Sequence, residues 1–409
     1  MQKDNPIKIS ILAGTGGMLE FYDFILYILF SQQIANVFFV DIKNDYIKNL
    51  ILIAVYSVAY IARPIGGFIV GWLGDNIGRK KSFSFTILLM GACVFLMGIM
   101  PTYHQIGVTA PILFVILRII QGFALGGELP GAIVFVYESV TRRGLALGVM
   151  FAMVFIGFLL GDIMSIILRL IFGEYAWRAA FISGSLVAFV GYYIRSKLHE
   201  TALFKALEKK TKFPLLTLIT KESMMQIGAI FAVVIVAFNG VMVSLYVPKY
   251  LESNFHYSYS FSQFVIITSA VINICVIFIS SLLTDYLDYK RLYQVVSFIL
   301  VIFSFPLFYC IASGNNGLFF VGMLLIAMIP SVTTGIFMRI LCDAFSTSVR
   351  YSGVAIGYNL AFALVGGFAP IASEVMINQI NVVAGPAIVG VICGLIGFIS
   401  IFMLKKTNV

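Results

Sequence analysis

The chain has 409 residues, of which 61% are hydrophobic and only 11% are charged, whereas soluble domains have about a quarter charged residues. This composition excludes an ordinary soluble protein and indicates a chain that is solvated largely by lipid. The formal net charge of +9 does not indicate nucleic-acid binding, because the cations form short clusters between apolar segments.

The apolar segments have the length of membrane-spanning helices. A bilayer core about 30 Å thick requires roughly 20 apolar residues per helix. On this basis the fold class is an all-α polytopic membrane protein of about twelve helices. The predicted spans are 8–31, 49–75, 82–100, 109–138, 144–170, 177–196, 223–251, 261–285, 292–312, 317–345, 350–378 and 384–404.

Basic clusters follow every second span, as at Arg79-Lys80-Lys81, Arg142-Arg143 and Lys290-Arg291. Lys and Arg concentrate in cytoplasmic loops, so this spacing predicts that both termini are cytoplasmic. Five Cys residues stand singly inside apolar segments and predict neither a metal site nor a disulfide framework.

The longest polar stretch is a Lys-rich segment in the middle of the chain. We predict that residues 197–222 form a linker along the inner membrane surface, between a six-helix half at 1–196 and another at 223–409. The halves resemble repeats, because Asp75 and its following cations recur at Asp285 about 210 residues later. Duplicated halves around a site near mid-membrane are typical of transporters.

The first span contains two carboxylates, Glu20 and Asp23, and Tyr27 on one helical face. An ionisable side chain inside a membrane costs a few kcal/mol and usually faces a wet cavity or a partner. Apolar surroundings favour the protonated carboxyl, and a nearby Arg favours the charged one. We therefore predict Asp23 as the leading proton-coupling residue, Glu20 as the second, and Tyr27 as a substrate contact.

The second span ends in a glycine-rich loop that contains Gly71, Asp75, Gly78 and Arg79. Gly71 allows close approach of a neighbouring helix, and Gly78 with the following cations can terminate a helix. Asp75 is placed to pair with a cation or a helix N-terminus. We predict a gating and structural role for these four residues.

The fourth span presents Arg118, Gln121 and Glu128 at helical spacing. Arg118 and Glu128 are separated by roughly 15 Å along the axis, so they cannot neutralise each other. Arg118 is predicted either to bind a substrate carboxylate through bidentate bonds or to form a fixed ion pair with a carboxylate of the first span. Gln121 is predicted to contact substrate, and Glu128 to take part in proton coupling.

Other charged residues inside or at the ends of spans have less defined roles. Glu138 and Arg142 are four residues apart and predict an ion pair on the gate side. Arg339 precedes Asp343 by four residues, which favours a local helix pair. Asp162 is expected to pair with Arg169 or Arg118, and neither its role nor that of Arg339 follows from the sequence.

Several neutral polar side chains inside spans can donate hydrogen bonds to a substrate or contact a neighbouring helix. Both interpretations stay open for each of them. They are Tyr56, Asn239, Tyr358 and Asn359.

The loop Gly71 to Lys81 resembles the signature loop of the major facilitator superfamily, with Asn76 where that family usually has a basic residue. Arg63-Pro64 fits the family pattern and implies a part in the inner gate. Further segments resemble the metabolite:proton symporter family within it. They are Glu20 to Tyr27, Arg118 to Glu128, Trp177-Arg178, Glu200-Thr201 and Gly357 to Gly367.

This resemblance implies a secondary transporter, proton-coupled symport of a small carboxylate-bearing metabolite and alternating access. Importers of osmolytes such as proline and betaine, and of citrate and 2-oxoglutarate, belong to the family. A uniporter or antiporter of the same fold is the alternative, followed by a membrane-embedded enzyme. We expect no cofactor, metal or nucleic acid, and partners limited to substrate, protons and lipid. We also expect the protein to be a functional monomer in the cell inner membrane.

Overall fold

The computed structural model describes residues 5–40, 45–196, 200–205, 223–255, 257 and 259–404. Most of the predicted linker 197–222 lies outside the described residues. Each of the twelve predicted spans falls on a helix, so the all-α polytopic fold is confirmed.

Among the residues that the structure describes, eight α-helices precede the predicted linker. They are α1 Pro6–Leu29, α2 Ser31–Phe38, α3 Asp45–Ile77, α4 Arg79–Ile99, α5 Tyr103–Ile106, α6 Thr109–Ser139, α7 Arg143–Phe172 and α8 Ala176–Ser196. The short α2 and α5 were not among the predicted spans, since neither is long enough to cross a bilayer.

Of eight further α-helices among the described residues, the first lies inside the predicted linker and seven follow it. They are α9 Ala202–Lys205, α10 Ser223–Ala237, α11 Val247–Asn254, α12 Tyr259–Leu283, α13 Tyr289–Ala312, α14 Asn316–Asp343, α15 Arg350–Gln379 and α16 Ala384–Phe402. A π-helical segment, Phe238–Tyr246, connects α10 to α11. The predicted span 223–251 is therefore continuous but not uniformly α-helical, and π segments occur often at functional sites.

Ten stretches of helix among the described residues are long and apolar enough to cross a membrane. One of them, Arg143–Tyr193, includes both α7 and α8. Many Ile, Leu, Val and Phe side chains of these helices are exposed, as expected of a protein solvated by lipid.

The helices form two compact units. Unit 1 comprises Met1–Ser139, Met153–Pro214 and Thr347–Ile356, and unit 2 comprises Val140–Ala152, Leu215–Ser346 and Gly357–Val409. The first turns of α7 thus pack within unit 2, and the first turns of α15 pack within unit 1. The halves at 1–196 and 223–409, which follow the chain without this exchange, stay a prediction.

Glycines allow α3 and α6 to pack backbone against backbone in unit 1. A Cβ at Gly122 would collide with the backbone of Ala59, and one at Gly126 with the carbonyl oxygen of Arg63. On α3, a Cβ at Gly66 would collide with the carbonyl of Phe123. Small residues commonly permit such close helix contacts in membranes, and this contact fixes the positions of the polar side chains on both helices.

Gly126→Ala should lower the stability of the protein by about 1–3 kcal/mol, because the added methyl group would force α3 and α6 apart. Gly367→Ala is the matched control, since nothing lies within 4 Å of a Cβ there. Thermal unfolding of both purified variants in detergent provides the measurement. Equal unfolding midpoints for the two variants would contradict the tight α3–α6 contact.

Candidate functional site

A buried ion pair joins α1 to α6 in the interior of unit 1. Arg118 Nη1 lies 3.2 Å from Asp23 Oδ2, and both residues are almost fully buried. Gln121 connects them, since its Nε2 donates to Asp23 Oδ2 at 2.5 Å and its Oε1 accepts from Arg118 Nη1 at 2.8 Å. Three of the residues predicted for coupling and binding therefore form one hydrogen-bonded group.

The same group retains unused hydrogen-bonding capacity. Among the described residues, Asp23 Oδ1 and the Nε and Nη2 atoms of Arg118 are buried without a hydrogen-bond partner. The Arg118 guanidinium lies over the ring of Tyr27, 3.9 Å from its centroid, which orients it by a cation–π contact. A guanidinium with two open donor positions can bind an added carboxylate.

A second buried ion pair lies on the same face of α1. Arg63 Nη2 of α3 is 2.9 Å from Glu20 Oε1, and the side chains are 2% and 0% exposed. The sequence resemblance implied a gate role for Arg63. It did not reveal Glu20 as the partner, because the two residues are 43 positions apart in the sequence. The pair joins α1 to α3, and the gate role stays a prediction.

Glu128 lies on α6 toward the end of the helix that is followed by a basic cluster. Its Oε2 is 2.5 Å from the Oγ1 atom of Thr86 on α4, and both side chains are completely buried. Thr86 is a functional candidate that sequence reasoning missed, because a single hydroxyl in an apolar span carries no distinctive signal.

Asp75 binds both a cation and a helix N-terminus, as the sequence predicts. Its Oδ1 is 2.9 Å from Arg79 Nη1. The carboxylate also accepts hydrogen bonds from the backbone N–H groups of Tyr351 and Ser352, at 3.2 and 2.9 Å, and from the Ser352 hydroxyl at 2.7 Å. The first turn of α15 thus has its free N–H groups satisfied by a carboxylate.

The glycines of this loop serve different needs. Gly71 packs against the backbone of Ser352, whose Cα would be 2.8 Å from an added Cβ. Gly78 has a φ of 129°, which side-chain-bearing residues rarely adopt, and separates α3 from α4. Both observations agree with the close approach and the helix end expected at these positions.

Glu138 has partners other than the predicted one. Its carboxylate lies 3.3 Å from Arg79 Nε and 2.7 Å from Arg350 Nη1, and it accepts a hydrogen bond from the Thr201 hydroxyl at 3.0 Å. The expected pair with Arg142 was wrong, because α6 ends at Ser139 and the four-residue spacing does not continue on a helix.

In unit 2, Asp285 has contacts equivalent to those of Asp75. Asp285 accepts hydrogen bonds from the backbone N–H groups of Gly144 and Leu145 at the start of α7, at 2.9 and 3.1 Å. Arg339 Nη1 lies 2.8 Å from Asp285 Oδ1, and its Nε lies 3.8 Å from Asp343. The predicted local pair of Arg339 and Asp343 is therefore longer than the contact with Asp285.

The π-helical segment positions Asn239 in a buried neutral network in unit 2. Its Nδ2 donates to the hydroxyls of Ser331 and Thr334, at 3.3 and 3.1 Å. Ser331 in turn donates to Asn273 Oδ1 at 2.6 Å. Asn239 is therefore largely engaged with neighbouring helices, which is the open alternative to a substrate contact.

The remaining predicted residues have other surroundings. Tyr358 and Asn359 are buried on α15, where the Tyr358 ring packs 4.4 Å from that of Phe362. The side chain of Tyr56 lies outside the described residues. Asp162 is exposed on α7, and neither expected Arg is its partner, since Arg118 contacts Asp23 and Arg169 donates to the carbonyl of Leu29.

Comparison with known proteins identifies the family. The profile of the Major Facilitator Superfamily matches residues 24–370. The chain belongs to the major facilitator superfamily. Members of this family transport solutes, so the expectation of a multi-pass membrane transporter rather than an enzyme is confirmed.

Curated relatives match over nearly the whole chain. The proline/betaine transporter of Escherichia coli strain K12 is 29% identical, over 99% of this chain and 84% of the relative. The glycine betaine/proline/ectoine/pipecolic acid transporter OusA of Dickeya dadantii is also 29% identical, over 98% and 83%. A putative proline/betaine transporter of Staphylococcus aureus is 26% identical, over 98% and 88%.

Solved structures show the same fold. The proton:xylose symporter XylE bound to 6-bromo-6-deoxy-D-glucose aligns with a TM-score of 0.82 at 17% identity, over 97% of this chain and 94% of the other. A partially occluded inward open conformation of the xylose transporter XylE from E. coli aligns with a TM-score of 0.68 at 17% identity, over 98% and 99%.

Arg63→Gln in this superfamily member should destabilise the fold by about 3–5 kcal/mol, because it leaves the Glu20 carboxylate buried without its cation. The double variant Glu20→Gln/Arg63→Gln should be more stable than Arg63→Gln alone, since no unpaired charge remains. Denaturant unfolding in mixed micelles measures both free energies. Arg291→Gln, at an exposed position of α13, is the control for loss of a cation, and strictly additive effects of the two interior substitutions would contradict the pair.

Proposed function

We propose that this transporter performs proton-coupled symport of a small carboxylate-bearing metabolite, and that zwitterionic osmolytes are the first class to test. The observation that carries the proposal is the buried Asp23–Arg118–Gln121 group with its open polar atoms. The names of the relatives, proline/betaine transporters from three bacterial genera, support the substrate class.

The ion pair provides a physical route to coupling. A proton on Asp23 removes its negative charge and leaves the Arg118 guanidinium buried without a counter-charge, which is unfavourable. A substrate carboxylate restores that charge through bonds to the open Nε and Nη2 positions. Proton and substrate therefore bind more favourably together than separately, which is the thermodynamic requirement for symport.

Other side chains are also proposed as substrate contacts. Gln121 and Tyr27 contact Arg118 directly and hold it in position for the substrate. Asn239, Tyr358 and Asn359 of unit 2, together with Tyr56, remain proposed hydrogen-bonding contacts.

We further propose that the Asp75 cluster is a gate. Gly71, Gly78, Arg79 and Glu138 belong to it by their contacts, and Arg142 and Arg63 remain gate residues by prediction. Release of the α15 N-terminus from Asp75 would break several charge-assisted hydrogen bonds at once, as expected of an element with two discrete arrangements during alternating access. Both termini are proposed to be cytoplasmic, in the cell inner membrane, and the functional unit to be a monomer.

Substrate addition should acidify the interior of liposomes that contain the purified protein and a pH-sensitive dye. Betaine, proline, citrate and 2-oxoglutarate are the compounds to test, with protein-free liposomes as the correction for leakage of weak acids. Asp23→Asn should abolish acidification and proton-driven accumulation while substrate exchange continues. Asp288→Asn, which removes an exposed helix-capping carboxylate of α13, is the matched control.

Uptake of labelled substrate without acidification would contradict symport and favour a uniporter or an antiporter. Accumulation that persists in Asp23→Asn would contradict the role of Asp23 in coupling.

Arg118→Lys should raise the Kd of the transported substrate by about tenfold or more, equivalent to at least ~1.4 kcal/mol. Lysine conserves the charge but cannot form the planar bidentate contact with a carboxylate. Binding to purified protein by calorimetry provides the measurement, with the exposed Arg291→Lys as control. An unchanged Kd for Arg118→Lys would exclude the direct contact.

A further inference from the structure

Asp162 on α7 is a carboxylate inside a membrane span, and the contacts described above give it no role. It lies ten residues before Phe172, where α7 ends, which is about 15 Å along the helix axis. Its carboxylate has neither an ion pair nor a hydrogen bond among the residues that the structure describes. A charge at this depth is costly in lipid and is usually found where a cavity admits water or a ligand.

Asp162 lies at the same depth in unit 1 as Asp23. Arg169 of α7 donates a hydrogen bond to the carbonyl of Leu29, where α1 ends, so the two helices meet at that level. Asp162 is seven residues before Arg169, and Asp23 is six residues before Leu29. Each carboxylate is therefore roughly 10 Å along its helix from the level at which the two helices meet.

The two helices also touch directly beside these carboxylates. A Cβ at Gly161 of α7 would lie 2.1 Å from the Ile25 side chain and 3.3 Å from the carbonyl oxygen of Tyr22. Gly161 immediately precedes Asp162 in the chain. Tyr22 likewise precedes Asp23. The arginine that we propose for the substrate carboxylate, which pairs with Asp23, is therefore at the level of Asp162 on a neighbouring helix.

Aromatic rings occupy the same face of α7 as Asp162. Phe155 and Phe158 precede it by seven and four residues, which is helical spacing. Phe155 is buried, Phe158 is half-buried and Asp162 is exposed, so this face opens toward the carboxylate. The Phe158 ring centroid lies 4.8 Å from that of Phe21 on α1 and 5.9 Å from that of Phe155. A carboxylate next to aromatic rings is a combination that attracts ammonium groups.

These surroundings suit an organic cation better than a metal ion. A divalent metal ion takes a shell of several oxygen ligands, whereas Asp162 is accompanied on its face by apolar rings. A substituted ammonium presents apolar groups around a diffuse positive charge, so the rings can contact those groups while the carboxylate balances the charge.

We propose that Asp162, with the rings of Phe158 and Phe21, binds the cationic nitrogen of a zwitterionic substrate whose carboxylate is bound by Arg118. The inference rests on the proposed function, because it requires a substrate carboxylate at Arg118. It also narrows the substrate class to small molecules that carry both a carboxylate and a substituted ammonium. Citrate and 2-oxoglutarate have no cationic group and would leave Asp162 without a counter-charge.

Binding of betaine and of its neutral-carbon isostere, 3,3-dimethylbutanoate, tests the assignment by calorimetry on the purified protein. The isostere keeps the shape and the carboxylate of betaine but lacks the positive charge. Wild type should prefer betaine, and Asp162→Asn should raise the Kd of betaine by about tenfold without weakening binding of the isostere. Glu174→Gln removes an exposed carboxylate just beyond the end of α7 and, as the matched control, should retain the wild-type preference.

Cysteine labelling gives a second readout, which decides if Asp162→Asn fails to fold. In protein whose five native cysteines are replaced, Asp162→Cys should react with a methanethiosulfonate reagent that carries a trimethylammonium group. Betaine should slow this reaction. Ile163→Cys, at the neighbouring exposed apolar position, is the control and should react much more slowly.

An unchanged preference for betaine in Asp162→Asn would overturn the assignment, and so would labelling of Asp162→Cys that betaine does not slow. Loss of acidification in Asp162→Asn with an unchanged preference would assign Asp162 to proton coupling and equally overturn it. A wild type that binds citrate but not betaine would overturn it as well, while acidification by citrate would still support symport. Loss of the preference in Asp162→Asn, without acidification by betaine in wild type, would contradict symport and support the assignment.

Discussion

The interior of unit 1 depends on the cost of a charge that is shielded from water. The Asp23–Arg118 pair accommodates this cost through a direct contact, a bridging Gln121 and a cation–π contact with Tyr27. Continuum arguments show that such pairs seldom stabilise a fold relative to apolar residues. A buried pair with open hydrogen-bonding atoms is therefore better explained by a function in which its partners change than by stability.

Helix packing in unit 1 positions these buried charges. Gly66, Gly122 and Gly126 hold α3 against α6 by backbone contact, and Arg63 on α3 lies 2.9 Å from Glu20 on α1. The buried carboxylates of Glu20, Asp23 and Glu128 lie 2.9, 3.2 and 2.5 Å from a cation or a hydroxyl. A proton that binds one member changes the electrostatic environment of the others.

In each unit a carboxylate caps the N-terminus of a helix, but the paired cation comes from a different element. In unit 1, Asp75 caps the start of α15 and pairs with Arg79 from its own loop. In unit 2, Asp285 caps the start of α7, but its cation is Arg339 from α14. The second loop has lost the glycines of the first, yet the carboxylate and its cap remain, so the electrostatic arrangement is retained where the motif is degenerate.

Sequence reasoning was most informative where physical constraints are local. Bilayer thickness sets the length of apolar segments, so all twelve spans could be located. The spacing of Asp23 on α1 and of Arg118 and Gln121 on α6 placed each on a polar helical face, and Asp75 was correctly expected to bind a cation or a helix end.

Only the tertiary structure decided which side chains pair with the charged residues of the helices. Nothing in the sequence distinguishes Arg63 from other candidates for Glu20, or Arg79 and Arg350 from Arg142 as partners of Glu138. The Thr86 contact and the π-helical segment were equally hidden. The physical reason is that membrane helices associate through the fit of small residues, and the resulting register between distant segments fixes which charges meet, whereas span length and helical periodicity are properties of one segment alone.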